Sequence, residues 1–139
     1  MKKIKYFIPS LVIMIFIFMF SQQTGNESSG MSSNVVHFLQ NYFPFISNYD
    51  LLHTVIRKMA HMSEYALLTG SFLYAYSHYH LSSQKIYFYS LLSTFLYACS
   101  DEIHQLFITG RTGQLFDVCI DTCGGLILLL VIFLSKKHN

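Results

Sequence analysis

A chain of 139 residues that is 53% hydrophobic, 17% aromatic and only 12% charged cannot cover itself with polar surface, which excludes an ordinary soluble domain and points to a small integral membrane protein. The formal net charge is only +2 and the lysines sit at chain and helix ends, so there is no basic stripe for nucleic acid. Cys99, Cys119 and Cys123 are odd in number, lie in apolar segments and lack a CxxC spacing, which excludes a disulfide framework and a structural zinc site.

The first apolar run, Tyr6 to Phe20, follows Lys2, Lys3 and Lys5 and fits either a signal peptide or a first transmembrane helix. It ends in Ser21, Gln22 and Gln23, not in an A-x-A-like cleavage pattern, so we expect an uncleaved helix over about residues 4–20. Residues 21 to about 34 are rich in Ser, Gly and Asn and read as a loop, the start of an extracytoplasmic segment reaching about residue 50. Within that segment Val35, Phe38, Leu39, Tyr42 and Phe43 share one face of a short amphipathic helix. Ser32, Ser33 or Asn34 would cap its start and Pro44 would end it. Such a face suits the membrane interface or the mouth of a bundle.

Asp50 is the expected N-cap of a second helix over about residues 51–79, whose first turns project beyond the bilayer. A tight connection through Leu81, Ser82 and Ser83 leads to a third helix at about 84–107, and the turn Gly110 to Gln114 leads to a fourth at about 115–134. The expected architecture is a single all-α membrane domain over residues 1–139, a bundle of four transmembrane helices with the amphipathic helix in its first extracytoplasmic loop. Gly124 and Gly125 should permit close helix packing. With Lys2, Lys3, Lys5, Lys85, Lys136 and Lys137 on one side and Arg57, Lys58 and Arg111 on the other, both termini are expected in the cytoplasm. Tyr74, Tyr76, Tyr79, Tyr87 and Tyr89 then form an aromatic belt at the cytoplasmic boundary.

This topology brings three polar stripes to one outer end and predicts that they share a pocket. Arg57, His61, Glu64 and Tyr65 follow helical spacing on the second helix; Asp101 and Gln105, with Glu102 and His104 beside them, end the third; Asp117, Asp121 and Gly124 share a face of the fourth. Lipid exposure of a charge near the bilayer centre costs at least about 2.5 kcal/mol, so the stripes should face inward. His37, His53, His78, His80 and His138 fall near interfaces and are expected to be solvated.

The same residues resemble the VanZ-like membrane proteins, a family named after a teicoplanin-resistance protein. The resemblance rests on Ser21-Gln22 with Ser28, Arg57-Lys58-Met59-Ala60-His61 with Glu64-Tyr65, Asp101-Glu102 with Gln105 and Phe107, Gly110-Arg111, and Asp117 with Asp121 and Gly124. It spans nearly the whole chain. Two positions depart from the family pattern: Thr109 stands where a proline commonly precedes Gly-Arg, and Asp121 where asparagine is usual, which adds a negative charge. The resemblance implies a link to teicoplanin-type glycopeptide resistance, a cell-membrane location and Arg57, Lys58, His61, Glu64, Asp101, Glu102, Gln105, Arg111, Asp117 and Asp121 as the polar signature.

Three chemistries suit these residues. Arg57 and Arg111 can present planar forks to a phosphate or carboxylate, with Lys58 as a point charge and Gln105, Asp117 and Asp121 as further ligand contacts, for a polar, lipid-linked envelope precursor or a glycopeptide. Alternatively His61 or Glu64 is a general base beside the pair Asp101 and Glu102 in a hydrolase or transferase acting on a lipid-linked substrate, although no nucleophile is evident beyond the doubtful Ser100. A divalent metal held by His61, Glu64, Asp101 and Asp121 is the third, without an HExxH pattern, and no other cofactor is expected. A transporter assembled from several chains, or a purely structural clasp of charges, are the competing readings. Against the clasp, three fixed cations (Arg57, Lys58, Arg111) face five carboxylates (Glu64, Asp101, Glu102, Asp117, Asp121).

Overall fold

The computed structural model describes residues 3–42, 48–111 and 113–138, with the side chains of 25–28 and 138 left aside. Phe43 and Pro44, the expected end of the amphipathic stretch, and the Ser28 side chain lie outside the described residues. A 3-10 turn, Ile4–Phe7, runs into α1 (Ile8–Ser21), where Pro9 sits in the first turn, the place its missing N–H is harmless. Then follow α2 (Gly25–Tyr42), α3 (Tyr49–Ser77), α4 (Ser83–Gln105) and α5 (Leu115–His138), with no strand among the described residues.

Two segments, Ile4–Ser21 and Leu115–Lys137, are long and apolar enough to cross a membrane, with mean hydropathies of 2.1 and 2.4. Only 17% and 28% of them is buried, so they are not core helices of a soluble protein. On α1 the buried residues Ser10, Ile17 and Ser21 make a single narrow stripe while Leu11, Ile15, Phe16 and Met19 face outward. Helices α3 and α4 carry the polar stripes and do not reach the same apolarity. At about 1.5 Å per residue the 29 residues of α3 span about 43 Å, more than a hydrocarbon core of about 30 Å.

Helix α3 is the hub and touches every other helix, most extensively α5. A Cβ added at Gly124 would collide with the backbone of Met62, and one at Gly125 with the Thr69 side chain, so two glycines let α5 lie directly on α3. Tyr65, Leu68 and Phe72 of α3 form the core with Ile17, Ala98 and Val118. Hydroxyl contacts join the same helices in the interior: Thr69 to Thr94 at 2.8 Å, Ser71 to Ser10 at 2.9 Å, Tyr76 to Ser93 at 2.9 Å, and the Tyr97 hydroxyl donating to the Met14 carbonyl at 2.6 Å.

Two expectations need correction. The polar stretch after α1 is not a loop: α2 starts at Gly25, ten residues before the first residue of the expected face, and Ser32, Ser33 and Asn34 lie inside it, not at its cap. Helix α2 is held by α3, on which it packs through buried Ser32 and Val36, with Tyr49 donating to Ser33 at 2.8 Å and the His53 ring 3.1 Å from the Ser29 carbonyl. Its apolar residues Val35, Phe38 and Tyr42 face outward instead. Asn48, not Asp50, caps α3, its side chain accepting from the Leu51 N–H at 3.1 Å, while Asp50 sits in the first turn where its charge complements the helix dipole.

Aromatic residues gather at the end of the bundle that carries Lys3 and Lys136. Tyr6 stacks on His78 at 3.7 Å, Lys3 lies over Tyr79 at 5.3 Å and Lys136 over Tyr87 at 5.9 Å. His78 is therefore half-buried against Tyr6.

A charged site at one end of the bundle

The end of α1, the first half of α3, the end of α4 and the start of α5 meet at the face opposite those lysines. Arg111 fixes that meeting. The turn before it needs Gly110, whose φ of 77° favours glycine, and the Arg111 N–H bonds the Ile108 carbonyl at 3.1 Å. The guanidinium then donates from Nε to the Gln23 carbonyl and from Nη2 to the Phe20 carbonyl, both at 3.0 Å. These carbonyls lie at and just past the C-terminal end of α1, where the dipole is negative, and that of Phe20 also accepts from the Gln23 N–H at 3.2 Å. Burial first, and then the charge of Arg57, draw the Arg111 pKa below its ordinary value against Asp101 and Glu102, yet a guanidinium stays charged in a protein.

The loop after α4 is anchored by Glu102, whose Oε2 accepts from the Gln114 N–H at 2.9 Å. Across the mouth, Lys58 Nζ meets Asp117 Oδ1 at 2.7 Å and lies 5.1 Å above the Phe116 ring. These side chains are 37% and 31% exposed, so water screens them. A double-mutant cycle on Lys58→Ala and Asp117→Ala should return a coupling no larger than about 1 kcal/mol in thermal or denaturant unfolding, and a coupling of several kcal/mol would make this pair the clasp of the bundle.

The expected single pocket is divided in two. The first cavity, about 320 Å³, is polar and lined by Arg57, Lys58, His61, Glu102, Gln105, Asp117 and Asp121, together with His53, Thr54, Gln114 and Ile120. The second, about 220 Å³, lies between α1, α2 and α3 and is bounded by Arg57, His61, Glu64 and Arg111 amid Phe20, Met31, Val35, Ile56 and Ala60. Arg57 and His61 form the shared wall. Helix α2, whose first half has the composition of a loop, closes the side of α3 that carries Glu64 and so bounds the second cavity.

Asp101 lines neither cavity: it is buried with its Oδ2 accepting from Gln105 Nε2 at 2.9 Å, behind the cavity wall. Tyr65 beside it is wholly buried in the core. His104 turns to Phe18 of α1, ring centroids 4.7 Å apart, and Ser100 is exposed on the far side, so neither joins the site. Adjacent residues on a helix point apart, which separates Asp101 from Glu102. Sequence reasoning missed His53. It falls at i−4 and i−8 from Arg57 and His61, a stripe that was there to be extended.

Among the described residues no three His, Cys, Asp or Glu side chains converge as a metal-holding group. His61, Glu64, Asp101 and Asp121, expected as a metal shell, are spread over two cavities and one buried position. The His61 to Glu64 approach, 3.9 Å, is a loose contact. The residues do not fit a preformed divalent site.

Charges are left over once these contacts are assigned. Lys58–Asp117 is the one close ion pair among the described residues, while Asp121 Oδ2, His61 Nδ1 and Arg111 Nη1 are buried without a hydrogen bond. Fold and site together define an all-helical membrane protein with both arginines and a group of carboxylates collected at one bundle end. Residues 6–136 match the VanZ/LLP1 family, and the chain belongs to that family. No curated protein and no solved structure matches the chain.

Proposed function

We propose that the chain crosses the membrane four times, with α2 along the outer interface and both termini in the cytoplasm, and that the charged end binds a polar cell-envelope ligand. The observation that carries this reading is the pair of buried side-chain atoms on the polar cavity, Asp121 Oδ2 and His61 Nδ1, that have no hydrogen bond. A clasp evolved only for stability would satisfy its buried polar groups, because each one left without a hydrogen bond costs about 1–3 kcal/mol. Here Asp121 is 2% exposed with one carboxylate oxygen unpaired, and Arg57 on the same lining has no ion pair among the described residues. Such a lining offers cationic forks to phosphate or carboxylate and carboxylates to hydroxyl or amide groups, the chemistry of a lipid-linked precursor or a glycopeptide.

Binding is better supported than bond cleavage. Among the described residues the one hydroxyl on the polar lining, that of Thr54, already donates to the Asp50 carbonyl at 2.9 Å, and no cysteine lines it. Transport across the membrane has less support, because the ionisable lining stops at the outer end and the interior continues with paired hydroxyls. Family membership is the ground for placing the ligand in the glycopeptide-resistance setting.

The test is thermal unfolding of the full-length protein in detergent against teicoplanin and lipid-linked cell-wall precursors. A true ligand at a hundred times its Kd stabilises by about 2.7 kcal/mol. That shift should appear in the parent and vanish in Arg57→Ala and Asp121→Asn, both of which should still fold. Equal shifts in parent and variants, or none with any of these ligands, would remove the binding reading.

A further inference from the structure

The second cavity differs from the first in what surrounds its charges. Met31, Val35, Ile56 and Ala60 make an apolar wall, and set into it are two guanidinium groups, Arg57 and Arg111, against one carboxylate, Glu64. Arg111 is 8% exposed and its Nη1 makes no hydrogen bond, although its other two donor nitrogens are occupied by α1. Arg57 forms no ion pair among the described residues. On the lining of this cleft the two guanidinium groups outnumber the one carboxylate, although Asp101 and Glu102 also act on Arg111, and the buried Arg111 Nη1 is a donor that an entering anion would satisfy. The cleft also has a lipid-facing margin. Met31 and Val35, both about half exposed, continue into Phe38 and Tyr42 at helical spacing, an outward apolar stripe along α2 that a hydrocarbon chain can follow.

We propose that this cleft binds an anionic amphiphile, with a phosphate or carboxylate head on Arg57 and Arg111 and one hydrocarbon chain along Met31, Val35, Ile56 and Ala60. The proposal rests on the reading that the charged end binds an envelope ligand and narrows it: the part of the ligand nearest the membrane is an anionic lipid, and any further polar portion passes the Arg57–His61 wall into the polar cavity. Glu64 sets a limit on the head, since its carboxylate disfavours a second negative group on its side of the cleft. A guanidinium pair can engage several oxygens of one phosphate in forked hydrogen bonds, so phosphate is the better fit of the two heads.

The experiment is equilibrium binding of radiolabelled dodecyl phosphate and, in a separate arm, dodecanoate to the full-length protein in phosphatidylcholine nanodiscs. Inorganic phosphate and dodecanol serve as competitors. Saturable binding is expected, with dodecyl phosphate the tighter, and with inorganic phosphate and dodecanol each competing at least a hundredfold more weakly. Arg57→Ala should weaken binding tenfold or more. Ala60→Phe and Val35→Phe, which fill the apolar wall from α3 and from α2, should do the same while circular dichroism and size-exclusion profiles stay those of the parent. Two variants on different helices keep the test decisive if one fails to fold. Competition by dodecanol equal to that by dodecyl phosphate would reduce the cleft to a lipid-facing groove and overturn the proposal. So would unchanged affinity in the folded cavity-filling variants. If neither amphiphile binds while an envelope ligand still raises the Tm in an Asp121-dependent way, this proposal falls and the polar-cavity reading stands. If the amphiphiles bind and no polar ligand acts, the reverse holds.

Discussion

Replacing Arg111 by Ala should lower the stability of the folded protein by about 3 kcal/mol, because the Phe20 and Gln23 carbonyls lose two hydrogen bonds from a charged donor, each contributing about 1.5–3 kcal/mol. The drop belongs to the empty protein and needs no ligand. Unfolding followed by circular dichroism in detergent measures it, and Arg111→Lys should recover little, since an ammonium cannot reach two carbonyls with the geometry of a planar fork. An Arg111→Ala protein as stable as the parent would mean that α1 does not depend on this contact. From sequence Arg111 reads as a ligand contact on a loop. Two of its three nitrogens are instead committed to the backbone of another helix, so Arg57 is the cleaner probe of binding.

A second large loss is expected at Gly124→Val. The added side chain has no space above the Met62 backbone, so α5 must move off α3. Overpacking a well-fitted contact typically costs about 1–3 kcal/mol and more where backbone is the obstacle, so we expect a loss of at least about 3 kcal/mol or failure to accumulate in the membrane. Gly30 on α2 is the matching control. Nothing lies within 4 Å of a Cβ placed there, and Gly30→Ala should stabilise by about 0.5–1 kcal/mol through helix propensity alone. Equal behaviour of the two variants in the same melting experiment would contradict close α3–α5 packing.

The contrast between these glycines bears on what can be read from sequence. Gly124 follows Asp117 and Asp121 on one helical face, which signals a packed stripe, and the long apolar runs that became α1 and α5 are legible from hydropathy alone. Gly30 sits among serines and asparagines, and that composition suggests a loop. Helix α2 forms because Ser32 and Val36 are small enough to dock on α3, a tertiary cause that no local propensity carries. The charged stripes were legible from their i, i+4 spacing, and Arg57, His61, Glu102, Asp117 and Asp121 do line cavities. The division into two cavities was not, because it depends on α2. The partners of Arg111 were hidden for another reason. Backbone carbonyls have no residue identity, so nothing in the sequence marks Phe20 and Gln23 as acceptors.

The interior hydroxyl contacts have a consequence for the charged end. Thr69–Thr94, Ser71–Ser10, Tyr76–Ser93 and Tyr97 to the Met14 carbonyl link α1, α3 and α4 in a closed triangle. Sliding any one of these helices by a single residue, about 1.5 Å along its axis, would break at least two of the contacts together. They act as a vernier, holding three long rods in longitudinal register through a solvent that offers no replacement partners. The alignment of guanidinium and carboxylate groups at the mouth is thus gauged from the middle of the bundle, well away from any molecule that might settle there.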